Sequence, residues 1–382
     1  MHSHSRRSFL RQVLGASWVG ASILEQAVWR AAQARAQSKT APAALFDLEK
    51  VAEGVYAALA RPAAQVNCNA AIFENSGDVL IVDSHSKSSA VAALVAQIRK
   101  EITAKPIRYV VNTHFHWDHT QGNPAYKKLA PHADFISSTV TRDLIAKLGG
   151  PRLKDSLEQA GKALETFQQK LGAAKTGKEK SHYQRMISET RAYLAEMRNY
   201  APELPNITFC QHLSIHDRSH ELHLAFRGRG HTGGDIVVYC EEKKVIATGD
   251  LLHGFLPYLG DGYPLEWPRT LRSVADFDFQ HAIGGHGGVQ HSRDRLDQMA
   301  GYIQELAEAV VQGKKAGRTV AQLQAAITPA TLKTLGAGGY GRFVSENLVK
   351  YYGDFEMDTP AEALAKAVQE NVAGSFTALE RT

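Results

Sequence analysis

The stretch THFHWDHTQGN, residues 113–123, concentrates side chains that bind metal ions. Four of them fall within six positions, directly after an apolar run: His114, His116, Asp118 and His119. In extended backbone, residues two apart project to the same side, so His114 and His116 share one face. A simpler interpretation is a polar turn that ends a strand, because the chain holds 17 histidines. The spacing of three imidazoles and one carboxylate nevertheless favours a metal site.

Three further stretches each place one metal-binding residue type in glycine-rich text at a strand edge. They are GRGHTGGD with His231, VIATGDLLH with Asp250, and AIGGHGGVQH with His286. Glycines let the backbone come close to an ion. Each residue alone is typical of a turn or cap. Together with the first stretch they indicate the rest of one ligand shell.

The elements that must position these residues alternate along the chain. Two apolar runs within residues 55–83 surround the turn 75–78, which predicts a hairpin. A helical pattern, AVAALVAQIRKEI, precedes the strand PIRYVVNT that leads into the first motif. Further strands are predicted in ITFCQHLSIHD, ELHLAFRG, DIVVYC and KVIATGD. This alternation predicts an α/β layered domain.

Two segments depart from this alternation. Residues 140–204 carry two helical patterns separated by the polar turn GAAKTGKEKS, which predicts a helical hairpin inserted between strands. The hairpin could cap an active site, pair subunits into a homo-oligomer, or cover one edge of the core. Residues 292–382 are predicted to be a helical C-terminal region.

The first 36 residues have the order of an export signal. Arg6 and Arg7 precede an apolar stretch at 13–24 and a small-residue cleavage site at 34–36. The paired arginines resemble a twin-arginine signal, so we expect contact with the twin-arginine export machinery and a periplasmic or secreted mature chain, residues 37–382. The apolar stretch is short for a bilayer span, which disfavours the alternative of a stable membrane anchor.

Net charge and cysteine content disfavour two classes of protein, nucleic-acid-binding proteins and disulfide-stabilised scaffolds. Residues 1–36 hold five arginines and one glutamate, so removing them lowers the net charge from +5 to +1. The net charge of the mature chain then gives no indication of nucleic-acid binding. The cysteines are Cys68, Cys210 and Cys240, an odd count without a CxxC pair, which predicts no disulfide scaffold. We expect Cys210 and Cys240 to be buried thiols, because each ends an apolar run.

The ordered motifs resemble those of the metallo-β-lactamase superfamily. HxHxDH, an isolated His, an Asp after an apolar strand and a final His occur in that order over roughly residues 50–290. Asp83, in VLIVDS, is similar to the first-motif aspartate that organises the loops under the metals. The resemblance implies an α/β fold, a four-layer αββα sandwich with the metals at one edge.

The resemblance also implies a ligand set for two zinc ions per chain, with iron or manganese as alternatives. One metal would be held by His114, His116 and His231. The second would be held by Asp118, His119 and His286, with Asp250 bridging the two. Zinc takes imidazole and carboxylate ligands, and two adjacent metals can clamp one hydroxide.

The chemistry implied is hydrolysis, with a dizinc-bound hydroxide attacking a carbonyl. Asp118 would orient the hydroxide and carry a proton to the leaving atom. Tyr258, Tyr263 or a residue of the hairpin would stabilise the oxyanion. An aspartate at position 250 resembles the thioesterase and lactonase branches, so a small ester, thioester or lactone is the first expectation.

Three alternatives stay open from the sequence. The first is β-lactam hydrolysis, which export would suit. The second is a mononuclear-iron persulfide dioxygenase, whose ligand positions are all filled here. The third is a non-catalytic metal-binding protein. The flavodiiron branch is disfavoured because His116 stands where those members typically have Glu.

Overall fold

The computed structural model describes residues 45–62, 68–336 and 339–380. The expected export signal lies outside these residues. The first sheet has seven strands in sequential order, β1 to β7. Neighbouring strands are antiparallel from β1 to β4 and parallel from β4 to β7. The strands are β1 (Phe46–Ala52), β2 (Val55–Ala60), β3 (Ala70–Glu74), β4 (Val79–Val82), β5 (Ile107–Val111), β6 (Asp134–Ser138) and β7 (Ile207–Phe209).

The second sheet has five strands in the order β12, β11, β10, β9, β8. Its neighbours are antiparallel except for the parallel pair β11 and β12. The strands are β8 (His212–His216), β9 (Glu221–Phe226), β10 (Ile236–Cys240), β11 (Val245–Gly249) and β12 (His281–Gly284).

Successive side chains of each central strand point to opposite faces of its sheet, so each of these strands packs against two layers. Leu80 and Val82 of β4 face the second sheet, whereas Ile81 between them packs against helix α1 (Ser88–Glu101). In β11, Val245 faces the first sheet and Ile246 faces the opposite, helix-covered side. Apolar residues on both faces of a strand therefore produce three cores, one between the sheets and one under each helical layer. The predicted four-layer αββα sandwich is confirmed.

The remaining helices lie between and beyond the strands. They are α2 (Trp117–Thr120), α3 (Asn123–Leu129), α4 (Thr139–Ala173), α5 (Gly177–Met197), α6 (Trp267–Val274), α7 (Asp294–Lys315), α8 (Val320–Ala326), α9 (Lys333–Gly336), α10 (Tyr340–Tyr351) and α11 (Pro360–Ala378), with a 3-10 turn at Gly353–Phe355. In the described part of the chain, no helix has the length and apolarity needed to cross a membrane.

Helices α4 and α5 form a hairpin between strands β6 and β7. Ser138 caps α4 by accepting a hydrogen bond from the Thr141 backbone N–H. The pair Thr176 and Glu179 forms a capping box at the start of α5, which satisfies backbone donors that the helix leaves free. Leu153 of α4 packs with Tyr193 of α5. The inserted hairpin and the helical C-terminal region belong to the observed fold, as the sequence indicates.

The cysteines depart from expectation at one position. Cys68 and Cys240 are buried free thiols, whereas Cys210 is exposed and free. The prediction of a buried Cys210 is wrong because the apolar run ITFCQHLSIHD is two strands rather than one. Cys210 lies in the turn between β7 and β8, which belong to different sheets.

Glu189 of α5 gives the hairpin a pH-dependent stability. Burial raises the pKa of Glu189 to about 7, against the favourable charges of Arg185 and Lys87. The folded protein therefore keeps a proton on Glu189 that the unfolded chain releases near pH 4.5, so stability falls as pH rises from about 4.5 to about 7. We expect Glu189→Gln to stabilise the protein at pH 8 by roughly 1 kcal/mol, after allowing for solvent screening, and to have little effect at pH 4.

The measurement is the melting temperature of wild type and Glu189→Gln at pH 4 and pH 8. A rise of about 1–3 °C at pH 8 alone is expected for a chain of this size. Glu165→Gln, at an exposed position of α4, is the matched control and should shift neither value. Equal effects of Glu189→Gln at both pH values would contradict this assignment.

Candidate metal centre

The carboxyl ends of four strands meet at one edge of the sandwich. Asp83 follows β4, His114 follows β5 closely, Asp250 follows β11, and His286 follows β12. His231 lies in the loop between β9 and β10, and the Ile236 backbone N–H donates to the Thr113 carbonyl, which joins the two sheets at this edge. Short loops on rigid strands therefore bring residues from five separate sequence stretches together.

The first group of potential ligands is His114, His116, His231 and Asp250. His116 Nδ1 lies 3.1 Å from His114 Nε2 and 2.8 Å from His231 Nε2. Asp250 Oδ2 lies 3.4 Å from His231 Nε2 and 3.9 Å from His114 Nε2. Ligand atoms around one zinc ion are about 3.3 Å apart, given bonds of about 2.0–2.1 Å in a tetrahedron. This group has the size of one tetrahedral site.

Outer hydrogen bonds determine which ring nitrogen of each histidine is free to bind. His116 Nε2–H donates to Asp261 Oδ2 at 2.9 Å, and His231 Nδ1–H donates to the Tyr258 carbonyl at 3.2 Å. The other two nitrogens, His116 Nδ1 and His231 Nε2, lie 2.8 Å apart and are the atoms of these rings that face the first group.

The second group of potential ligands is Asp118, His119 and His286. Asp118 Oδ2 lies 3.2 Å from His286 Nε2 and 3.5 Å from His119 Nε2. His119 Nδ1–H donates to Asp83 Oδ2 at 2.8 Å, which turns His119 Nε2 toward the group. Asp83 also accepts from the Thr113 backbone and hydroxyl, so it holds the loop as well as the ring.

Asp250 lies between the two groups. Its Oδ1 is 3.2 Å from His119 Nε2, and its Oδ2 is 3.4 Å from His286 Nε2. Gly249, at φ +51°, makes the turn that directs Asp250 inward. A Cβ at Gly285 would lie 2.0 Å from Asp250 Oδ1, so this carboxylate needs a glycine beside it. All seven residues identified in the sequence are therefore neighbours at one site.

The polar atoms at this site fit a bound metal. His119 Nε2 and Asp250 Oδ1 are buried, and neither has a hydrogen-bond partner. Buried polar atoms without partners are costly and require an explanation. Imidazole nitrogens and carboxylate oxygens are also the donors that zinc prefers. A cation at each group would satisfy these atoms.

The protonation states of His114, His231 and Asp250 agree with that interpretation. Burial lowers the pKa of His114 and of His231 well below the usual range, so both rings are neutral. Burial acts to raise the pKa of Asp250, but His286 and the other nearby histidines outweigh it and hold that pKa well below the usual range. Neutral imidazole and charged carboxylate are the forms that bind metals.

Cys68 lies beside the second group without the properties of a ligand. It forms a third potential set with Asp83 and His119. Burial raises the pKa of the Cys68 thiol to about 12, and a protonated thiol binds metal poorly. The oxygens of Asp83 are already occupied by Thr113 and His119. This set supports His119 rather than forming a separate centre.

Sequence reasoning missed His253, which lies three residues after Asp250 in the loop that follows β11. His253 is 5% exposed, and neither of its ring nitrogens has a hydrogen-bond partner. Its Nε2 lies 3.3 Å from Asp250 Oδ2, and its ring stacks on that of His286 with centroids 5.4 Å apart. The only sequence signal was its spacing of three from Asp250.

Sequence reasoning also missed a connection from the inserted hairpin to the centre. Arg152 of α4 donates two hydrogen bonds to Asp261, at 2.6 and 2.7 Å, and Asp261 accepts from His116. Hydrogen bonds from Arg152 and His116 hold the pKa of Asp261 well below the usual range, despite its burial. The hairpin therefore helps to orient a residue of the first group.

A cavity of about 570 Å³ opens above both groups, within the size range of small-molecule sites. Its floor includes Asp118, Asp250 and His286. One wall is the hairpin helix α4, and the other comes from the C-terminal region, with Tyr352 of the segment after α10. Of the two tyrosines considered from the sequence, Tyr258 lines this cavity. Tyr263 is not among the lining residues, and the Arg229 guanidinium lies over its ring.

Arg152 offers a test of the connection to the hairpin. Arg152→Ala leaves the Asp261 carboxylate without its bidentate partner, so His116 loses part of its restraint. We expect zinc affinity to fall by roughly tenfold, the scale of outer-partner substitutions at metal sites. The measurement is competition with a chromogenic chelator, with Arg191→Ala as the control at an exposed arginine of the same hairpin. Equal affinities in all three proteins would contradict a positioning role for Arg152.

Comparison with known proteins identifies the class that this fold and site define. The profile of the metallo-β-lactamase superfamily matches residues 63–302, well over half of the chain. The chain belongs to the metallo-β-lactamase superfamily, whose members are generally hydrolases. The resemblance found in the sequence is confirmed.

Similar solved structures are distant in sequence. A metallo-β-lactamase from Pontibacter korlensis is 14% identical with a TM-score of 0.48, and the match covers 67% of this chain and 98% of that one. The metallo-β-lactamase FIM-1 from Pseudomonas aeruginosa, solved in a mono-zinc form, is 17% identical with a TM-score of 0.47, covering 67% and 94%. The metallo-β-lactamase DIM-1 is 18% identical with a TM-score of 0.46, covering 67% and 96%.

Proposed function

We propose that this protein is a metal-dependent hydrolase that cleaves a small ester, thioester or lactone. The observation that carries the proposal is the pair of ligand groups that share Asp250 at the floor of one cavity. A storage or structural metal site has no need of a substrate-sized cavity above it. The non-catalytic alternative is therefore disfavoured.

The residues present define how two zinc ions would be held. His114, His116 and His231 would bind one ion, Asp118, His119 and His286 the other, and Asp250 would bridge them. Zinc bound there would polarise the substrate carbonyl and lower the pKa of water enough to supply a nucleophile at neutral pH. The rings of His116, His119 and His231 need little rearrangement, because outer partners already hold them.

Asp118 is the proposed proton carrier. It is 6% exposed and lies at the floor of the cavity. Burial acts to raise the pKa of Asp118, but His119 and His286 outweigh it and lower that pKa, so the carboxylate is charged and accepts a proton. It would take one proton as water adds to the carbonyl and return it to the leaving oxygen or sulfur. An ester and one water thus become a carboxylic acid and an alcohol.

Two tyrosines could donate to the oxygen that gains charge during the reaction. Tyr258 and Tyr352 stand on different parts of the cavity wall. Burial raises the pKa of Tyr352, which keeps its hydroxyl a donor. Tyr258 is 51% exposed and forms part of the opening. Tyr352 is the better placed of the two for a water-excluded site.

Export by the twin-arginine route stays a prediction, because residues 1–36 lie outside the described part of the chain. Pairing of subunits through the hairpin likewise stays a prediction. A periplasmic hydrolase would meet its substrate after folding and loading with metal, which is consistent with that route.

The test combines metal content with substrate turnover. The mature protein is purified, its metals are counted by mass spectrometry, and hydrolysis is measured on lactones, esters, thioesters and cephalosporins. Two zinc ions per chain and turnover of the first three classes are expected. Cephalosporin turnover alone would replace the proposal by β-lactam hydrolysis. One iron per chain with oxygen uptake on a persulfide would replace it by the dioxygenase.

A further inference from the structure

A second cavity, of about 290 Å³, adjoins the one above the metal groups. It lies between helices α4 and α5 of the hairpin and reaches the 3-10 turn that follows α10. Trp117, Ser156 and Gln159 line both cavities. The two spaces therefore adjoin at these three side chains, beside the face of α4 that carries Ser156 and Gln159.

The wall of the second cavity is largely apolar. Its hairpin side chains include Ala160, Ala163, Phe167, Met186 and Tyr193. No metal-binding or catalytic constellation lies among its described lining residues. Transfer of an apolar group of the substrate from water into such a space is favourable, roughly in proportion to the apolar area removed from water.

The charges around both cavities disfavour an anionic group. Among the described lining residues, the only arginine is Arg152, both of whose terminal nitrogens bind Asp261, and there is no lysine. The carboxylates that line the walls away from the metal groups are Asp155, Asp261, Asp354 and Glu370. A carboxylate at the far end of a bound substrate would thus find no free cationic side chain and would lie near several acidic residues.

We propose that the second cavity binds an uncharged apolar arm of the substrate whose carbonyl reacts at the metal groups. This inference rests on the proposed function, and it specifies the substrate class as acyl compounds with an extended apolar acyl chain. The shared border of the two cavities carries the proposal, because it places an apolar space next to the groups at which the carbonyl would react. The hairpin then selects substrates by the length and charge of the acyl chain.

The test uses zinc-loaded mature protein and 4-nitrophenyl esters from acetyl to octanoyl. We expect kcat/KM to rise by about two- to fourfold for each added CH2, as for transfer of a methylene into an apolar site. The suberate monoester, which has the octanoyl length but ends in a carboxylate, is expected to fall at least tenfold below the octanoyl ester. No dependence on length, or a preference for the suberate monoester, would overturn the proposal.

A pair of variants locates the effect. Ala163→Phe fills the second cavity, and Ala192→Phe makes the same change at an exposed position of α5 that lies outside it. We expect Ala163→Phe to lower the octanoyl-to-acetyl ratio of kcat/KM by about tenfold, and Ala192→Phe to leave it at the wild-type value. Equal ratios in the three proteins would place the arm elsewhere and overturn the assignment.

A binding measurement separates this proposal from the proposed function. Bromooctanol is titrated into wild type, and quenching of tryptophan emission is compared with that of Trp117→Phe. Saturable quenching that Trp117→Phe removes is expected even if no ester is hydrolysed. Absent quenching would overturn the proposal, and so would quenching that appears only after residues 1–44 are deleted or the protein is diluted. Those last results would assign the cavity to the N-terminal segment or to a second copy of the chain.

Discussion

Asp250→Ala is expected to retain about one metal ion per chain and to lose roughly a thousandfold in kcat/KM. Asp250 oxygens lie 3.2 Å from His119 Nε2 and 3.4 Å from His231 Nε2, so the carboxylate contacts both ligand groups. Two divalent cations held this close repel each other, and each loses a shared anion when Asp250 is removed. The second ion should therefore bind much more weakly.

The measurement is metal stoichiometry by mass spectrometry after dialysis, together with steady-state kinetics on the best ester or lactone. Melting in excess chelator serves as the control, because it compares the folds of wild type and variant without metal. Two tightly held ions in Asp250→Ala would show that Asp250 is not a bridging ligand.

Asp118→Asn is expected to lower kcat by about a hundredfold to ten-thousandfold, the scale of general acid and base catalysis. The amide keeps the size of the side chain but cannot take up the proton that water releases. The deficit should be larger for an alkyl ester than for a 4-nitrophenyl ester, because an alkoxide must be protonated as it leaves and nitrophenolate need not be.

The leaving-group comparison separates proton transfer from a loss of metal. Metal content is measured on the same samples, and Asp143→Asn, at an exposed position of α4, controls for the change of charge. An equal deficit for both leaving groups would assign Asp118 to metal binding without proton transfer.

The ligands could be found in the sequence because each one follows a strand or glycine-rich turn in a short, ordered pattern. His114, Asp250 and His286 sit at strand ends, where backbone direction alone determines the meeting place. The continuous apolar runs of β4 and β11 likewise indicate that both faces of these strands are covered by other layers.

The partners of those ligands could not be found in the same way. Arg152 and Asp261 are 109 positions apart, and their ion pair depends on how α4 lies over the edge of the sandwich. Tyr352 reaches the cavity from the other end of the chain. No local pattern encodes a contact between an inserted helix and a distant loop, because the contact depends on tertiary packing.

The boundary between the sheets was also hidden in the sequence. Strands β7 and β8 are separated by only two residues, yet β7 pairs with β6 and β8 pairs with β9. Strand propensity describes a fit to a pleated surface and carries no information on which sheet receives the strand. The prediction that the Cys210 thiol is buried was wrong for that reason.

The two cavity walls come from segments outside the strands that hold the metal ligands. Under the proposed function, substitutions in α4 or in the C-terminal helices would alter which substrates enter the cavity without changing the metal ligands. Arg152 connects the hairpin wall to His116 through Asp261. A change in the hairpin that removed this ion pair would therefore be expected to alter metal retention as well as substrate range.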